Sequence, residues 1–281
     1  MDKHPRKKRW PKVLLTIVIA AALVGAGWYG WQWQQSRATE EAPTQQSRNA
    51  QQEDGESRKP IEQQFVQRYY EVDFSGAERI TEPPEIVGNK AADRHIQKRA
   101  EDRGYRLQYT PTGPLKEING EKLQPQALKA WKKLKQAAGE EGIYLDLVSG
   151  HRSIQTQRII FDSQLRKRGK EKQGSPYTAQ QIASGKADAV IDEILREYSI
   201  PGYSKHHSGY TIDISDSASS KSFEEFGQTE AFQWLSKKDY AKARQYGFLP
   251  SYPEGVENLG PQAELWEYVW VGKDNTEFQQ N

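Results

Sequence analysis

The chain has 281 residues and no cysteine, so it offers neither a disulfide framework nor a thiolate metal site, and any metal must be held by His, Asp or Glu. With 8 Trp, 14 Tyr and 8 Phe it has the aromatic content to bury a real core in one or two domains. The net charge of +2 hides an asymmetry: Lys3, Arg6, Lys7, Lys8, Arg9 and Lys12 against Asp2 put residues 1–12 at +5 and the remainder at −3, which excludes a nucleic-acid footprint on the folded part.

Residues 1–12 read as a cytoplasmic basic segment. From Val13 to Trp31 there is no charged residue, a stretch long enough to cross roughly 30 Å of hydrocarbon as a helix. Residues 13–33 are therefore predicted to be a transmembrane anchor. Its basic flank lies inside, and Trp28, Tyr29, Trp31 and Trp33 form an aromatic belt at the outer interface. A cleaved signal peptide competes with this, because residues 22–27 are small; the length of the span and its tryptophans favour an uncleaved anchor. Residues 34–60 are Gln, Ser, Glu and Arg with almost nothing apolar, and read as a disordered tether.

A short helical lead-in is predicted over 61–84, with Ile61, Phe65, Val66, Tyr69 and Tyr70 at helical spacing. The domain proper spans 85–274, with a tail over 275–281. Within it, Pro125 to Gly139 is an amphipathic helix with Leu128, Trp131, Leu134 and Ala138 inward and its lysines outward. Ile143 to Ser149 alternates as a strand. A helix follows from a cap at Ser153 to about Arg168, then a loop over Gly169–Tyr177. Helical pieces are predicted over 178–199 and 223–248, and a last strand over 268–272. The sum is α+β: a small, mainly antiparallel sheet with packed helices.

Three short stretches carry chemistry. The first is Ser149-Gly150-His151-Arg152-Ser153 with Gln157. The second is Ser204-Lys205-His206-His207-Ser208-Gly209-Tyr210-Thr211-Ile212-Asp213, in which Gly209 turns the chain and the following alternation aims Asp213 away from the apolar layer and back towards His206. Neutral imidazole and carboxylate are both zinc ligands. The third is Glu264-Leu265-Trp266-Glu267. Taken singly, each residue has an ordinary reading: Arg152 a salt-bridge partner, Ser153 a helix cap, Gln157 a helix-surface amide, Ser204 a turn residue. His207 should point away from His206 and be structural.

Together and in this order, the three stretches resemble the zinc D-alanyl-D-alanine carboxypeptidases of the VanY type over about residues 85 to 272. The resemblance implies one zinc ion on His206 and Asp213, Glu264 as the general base that activates water, and Arg152 on the substrate's terminal carboxylate, with Ser153, Gln157 and Ser204 helping to position it. It implies peptidoglycan stem peptides ending in D-Ala–D-Ala as partners. With the anchor, it implies a single-pass protein of the bacterial cell membrane with its domain outside the cytoplasm.

The third stretch departs from the pattern E-x-W-H. Glu267 stands where the resembling enzymes carry a third, histidine ligand, and Val269-Trp270 replaces the usual Arg-Tyr. Three readings stay open. In one, Glu267 completes a His–Asp–Glu shell whose two negative charges cancel the metal's. In another, the metal is lost, leaving a degenerate peptidoglycan-binding or regulatory protein. Or Glu267 is solvated and His95, His151 or another group closes the site. Glu264 and Glu267 share a face only if the chain turns between them. The topological expectation has a direct check: protease added to intact spheroplasts should remove the domain, and full protection would contradict it.

Overall fold

The computed structural model describes residues 60–278. The anchor expected at 13–33, and residues 34–59 of the expected tether, lie outside them. Among the described residues no helix is long and apolar enough to cross a membrane.

The segment after Pro60 forms α1 (Ile61–Glu71), which buries Phe65 and Tyr69, one turn apart, in the same core as the sheet. Strand β1 (Ala77–Arg79) pairs antiparallel with β2 (Tyr109–Pro111) across an intervening helix, α2 (Lys90–Asp102). Asn89 caps α2 by accepting from the amides of Ala91 and Ala92. Neither these two strands nor α2 was expected: the strands are three residues each, and the apolar stripe that α2 buries, Ala92, Ile96 and Ala100, is narrow in an otherwise polar sequence. A small hairpin, β3 (Lys116–Ile118) with β4 (Glu121–Leu123), leads into α3 (Pro125–Glu140). Helix α3 lies where the apolar period put it, with Trp131 and Leu134 buried.

Strand β5 (Leu145–Ser149) is followed by α4 (Ile154–Gln173), capped by Ser153, whose hydroxyl accepts from Thr156 N at 3.0 Å. Helix α4 runs past the expected stop at Arg168. Gly169 lies inside it because the packed Pro176 and Tyr177 leave no room for a side chain there, and Gly174 at φ 79° is the true C-cap. Helices α5 (Ala179–Ala183) and α6 (Asp188–Leu195) follow. After a 3-10 turn at Lys205–Ser208 come β6 (Thr211–Asp216), α7 (Glu230–Gln245), β7 (Phe248–Tyr252) and β8 (Glu264–Trp270).

The main sheet is antiparallel in the order β5-β6-β8-β7. One face closes on a core of Phe65, Tyr69, Trp131, Leu134, Leu235 and Phe248, to which β6 sends Ile212 and Ile214 and the residue before it, Tyr210, adds its ring. A second core of Ile96, Phe161, Ile191, Ile194 and Tyr203 joins α2, α4 and α6. The chain leaves this second core at Tyr203 and enters the first at Tyr210, so the intervening Lys205–Ser208 turn ties the two together. Beyond the expected domain end, Phe278 packs edge-on against Phe65 at 5.0 Å.

Gly209 closes the turn at φ 74°, and a Cβ built on it would lie 2.9 Å from Leu115 Cδ2. A left-handed L-residue costs about 1–2 kcal/mol, and the Leu115 methyl must also give way. Gly209→Ala is expected to lower the unfolding free energy by about that amount, with Gly209→Asn losing less because Asn tolerates this region. Urea melts of the three forms check the order.

Candidate metal and active site

The site follows from one pairing. In the β6–β8 ladder Asp213 stands directly opposite Glu267. Both are buried, at 6 % and 4 % exposure, and like charges in that position repel. His206, itself 2 % exposed, faces both: its Nε2 lies 3.3 Å from Asp213 Oδ2 and 3.2 Å from Glu267 Oε2. Its Nδ1 donates to Gly150 O at 2.6 Å, which fixes the ring and leaves Nε2 turned to the carboxylates. One ligand atom from each of the three residues lies within 4.8 Å of the others.

These residues fit a divalent cation. Asp213 Oδ1 and Glu267 Oε1 are buried without a hydrogen-bond partner, a costly state for charged oxygens that a cation relieves. Burial pushes the His206 imidazole down, but Asp213 and then Glu267 outweigh it and hold the ring up to about 10. Burial acts to raise Glu267; its bond to His206 and the charges of His206 and Lys205 outweigh that and hold it below the usual carboxylate range. A proton and a divalent cation therefore compete for the same three atoms. His95, paired with Asp188 at 2.6 Å, is not in the cluster, and His151 lines a separate cavity.

Glu264 joins the site through an irregularity in the sheet. Pro250 pairs with Tyr268 but Tyr252 pairs with Glu264, so β8 bulges between them. Glu264, Trp266 and Glu267 consequently line one cavity of about 410 Å³ with Arg152, Ser204, His206 and Asp213. Burial first, then Glu267 and Asp213, push Glu264 well above the carboxylate range. Neutralising those two neighbours would remove the charge part of that shift and leave the part due to burial.

The Arg152 guanidinium donates to Gln157 Oε1 at 3.2 Å and to Ser149 Oγ at 3.4 Å. Its ion pair with Asp213 is loose, at 3.9 Å, so its charge stays available to an anion in the cavity. Gln157 does not reach the cavity as expected: it is fully buried and spent on Arg152 and on Ser199 O. Ser153 lies outside the cavity too, its hydroxyl taken by the helix cap. His207 is a brace: Nδ1 donates to Arg152 O at 2.6 Å and Nε2 accepts from Gly202 N at 3.0 Å, while burial holds its ring down at about 4.

Sequence reasoning assigned nothing to Lys205. The structure buries it beside the site, with Nζ donating to Ser251 O at 2.6 Å and lying over Tyr252 at 3.9 Å and Tyr69 at 4.6 Å. Burial pushes its ammonium down to about 8 against the pull of Glu267 and Glu264, so it is charged at neutral pH. Its place inside the His206 stretch was the available signal. Phe223 and Trp266, whose rings meet at 4.8 Å, form an aromatic part of the cavity wall.

Comparison with known proteins gives a consistent picture. The sequence profile of the VanY family, D-alanyl-D-alanine carboxypeptidase, matches residues 120–273. YodJ of Bacillus subtilis (strain 168), a carboxypeptidase by name, is 30 % identical over 153 residues, covering 54 % of this chain and 47 % of YodJ. A D-alanyl-D-alanine carboxypeptidase of Enterococcus faecalis (strain ATCC 700802 / V583) is 28 % identical over 156 residues, 55 % of this chain and 50 % of that protein. The chain thus spans about half the length of the curated relatives it matches. Among solved structures, VanYB in complex with D-alanine-D-alanine aligns at 25 % identity with a TM-score of 0.45, covering 58 % of this chain and 80 % of that one.

The cluster generates a test that needs no substrate. Zinc is expected to raise the melting temperature of the chain, and His206→Ala to abolish the shift; at 100 times its Kd a ligand adds about 2.7 kcal/mol. Equal melting with zinc and with chelator would contradict the fit.

Proposed function

The chain belongs to the VanY family of D-alanyl-D-alanine carboxypeptidases, and we propose that it is a zinc D,D-carboxypeptidase that removes the C-terminal residue of peptidoglycan stem peptides. The observation that carries this reading is the meeting of Arg152, Glu264 and the His206–Asp213–Glu267 cluster in one cavity.

His206, Asp213 and Glu267 would hold the ion, which when bound supplies Lewis acidity towards the scissile carbonyl. The remaining work falls to the chain's own groups. Arg152 pairs its planar fork with the free carboxylate of the substrate, a charge it cannot lose. Gln157 and Ser149 hold the guanidinium from behind, so the peptide is read from its end. Glu264, once ionised, takes the proton of the attacking water and delivers it to the leaving amine. Ser204 contributes a polar wall beside them.

The same reading makes the chain a single-pass protein of the bacterial cell membrane with its domain outside the cytoplasm, where the substrate lies. It draws on the basic segment 1–12 and the uncharged span that follows.

The test is release of D-Ala from a pentapeptide stem. Glu264→Gln is expected to cost about 10²–10⁴-fold in turnover, the usual worth of a general base. Arg152→Lys keeps the charge and loses the fork, so kcat/KM should fall for the free acid and the preference for it over a C-terminally amidated stem should shrink. A zinc-loaded wild type that releases nothing, yet binds the stem, would move the reading to a non-catalytic peptidoglycan-binding protein.

A further inference from the structure

We infer that the chain carries a second binding site, for a phosphate-bearing saccharide, in the cavity between α3, the end of α7 and the end of β8. This cavity shares no lining residue with the one that holds the metal cluster, and the inference does not depend on the proposed function.

The cavity has a volume of about 400 Å³. One wall is a face of α3, where Gln126, Lys129, Ala130 and Lys133 recur at helical spacing. The other wall is built by Tyr246 where α7 ends, by Trp270 where β8 ends, and by Lys273. Three ammonium groups thus meet, and no Asp or Glu lines the cavity. Lys135 on the same helix is paired with Asp146 at 2.6 Å, whereas among the described residues Lys129, Lys133 and Lys273 have no ion pair. Lys129 and Lys133 stand four apart on one helix, a spacing at which like charges weaken it. A concave surface lined by one sign of charge concentrates ligands of the other.

The type of cation selects the anion. No arginine lines this cavity, so it lacks the planar fork that matches a carboxylate and that Arg152 offers in the other one. Separate ammoniums act as point charges, which suits the several oxygens of a phosphate. The rest of the lining suits a sugar. Tyr246 and Trp270 are half-buried, and Tyr210 stacks on the indole at 5.6 Å and 17°, so that ring is fixed before a ligand arrives. Apolar rings with a few convergent polar groups are the usual make-up of a small-molecule site. The amides of Gln126 and Gln245 have no hydrogen-bond partner among the described residues, and they offer donors and acceptors together, as ring hydroxyls require. Nucleic acid would also meet ammoniums and rings, but the chain beyond residue 12 is net negative.

The experiment is calorimetry on the full chain in chelator, with dextran phosphate as the probe. Wild type is expected to bind it at least about fivefold more tightly than carboxymethyl dextran of equal charge, and not to bind neutral dextran. Lys129→Gln, Lys133→Gln and Lys273→Gln together should weaken binding at least about tenfold, three exposed ionic contacts at their usual worth. Lys3→Gln, Lys7→Gln and Lys8→Gln together remove the same charge elsewhere and should change it less than about twofold. Gln126→Ala with Gln245→Ala should weaken dextran phosphate at least about threefold and leave polyphosphate binding as it was. All the substituted cavity side chains are exposed, so the variants should melt with the wild type. No binding of dextran phosphate, equal binding of the carboxymethyl polymer, or no greater loss from the cavity lysines than from the N-terminal ones would overturn the inference. So would a glutamine pair that affects both phosphate polymers alike. Single-stranded DNA bound more tightly than dextran phosphate, and lost with the cavity lysines, would make this a nucleic-acid site and overturn it too.

Discussion

Two carboxylates face each other across the middle of a four-stranded sheet, at Asp213 and Glu267. Nothing in sheet energetics favours that; opposite like charges weaken a ladder. The arrangement is met by a group reaching in from the turn that precedes β6: His206 contacts both carboxylates, while Lys205, the residue before it, is enclosed by Tyr69 and Tyr252. The fold around the site is largely what is needed to keep this charge cluster dry and the turn in place.

That turn carries four consecutive residues with four different duties. Lys205 is tied to β7 through Ser251 O. His206 bridges the central strands and is held from behind by Gly150 O. His207 donates to the carbonyl of Arg152 and accepts from Gly202 N, so it joins the arginine loop to the chain just before the turn. Ser208 closes the turn on itself, donating to Lys205 O and accepting from Tyr210 N. The cluster and Arg152 are therefore not independent features. Displacing the turn would move the imidazole, the ammonium and the guanidinium together, which is how a short rigid segment sets the distance between the His206–Asp213–Glu267 cluster and the Arg152 guanidinium.

Much of this was legible in the sequence, for identifiable reasons. The α3 helix and β6 show because their apolar residues recur at clean periods, with Trp131 and Leu134 on one face and Tyr210, Ile212 and Ile214 on the other. Gly209 announces the turn, and its left-handed backbone confirms why it is glycine. The misses are equally physical. Pro250 hid β7, an edge strand, since proline argues against a strand in a sequence read alone. Gly169 looked like a stop because crowding around a helix residue is invisible without the fold. Ser153 caps α4 as its position before the helix suggested and does not also line the cavity, while Gln157, read towards substrate, supports Arg152 from a buried position. Lys205 had only its place inside the His206 stretch to mark it: a lysine between a serine and a histidine looks solvated until the tyrosines that enclose it are in place.

The most consequential departure from the family pattern, glutamate in place of histidine at 267, changes what its neighbours are. With three carboxyl groups around one cavity, they cannot all be ionised unless positive charge is brought among them. Without a divalent ion, the imidazolium and the ammonium meet two of the three charges, and Glu264 is the one left as an acid. An ion seated on His206, Asp213 and Glu267 displaces the imidazole proton and adds one net positive charge to the cluster. That is the charge Glu264 lacks. On the proposed reading, the carboxyl that would act as base is charged more readily with a cation in the cluster than without one. A glutamate at 267 would in this way couple cation binding to the ionisation of Glu264, through electrostatics confined to a single cavity.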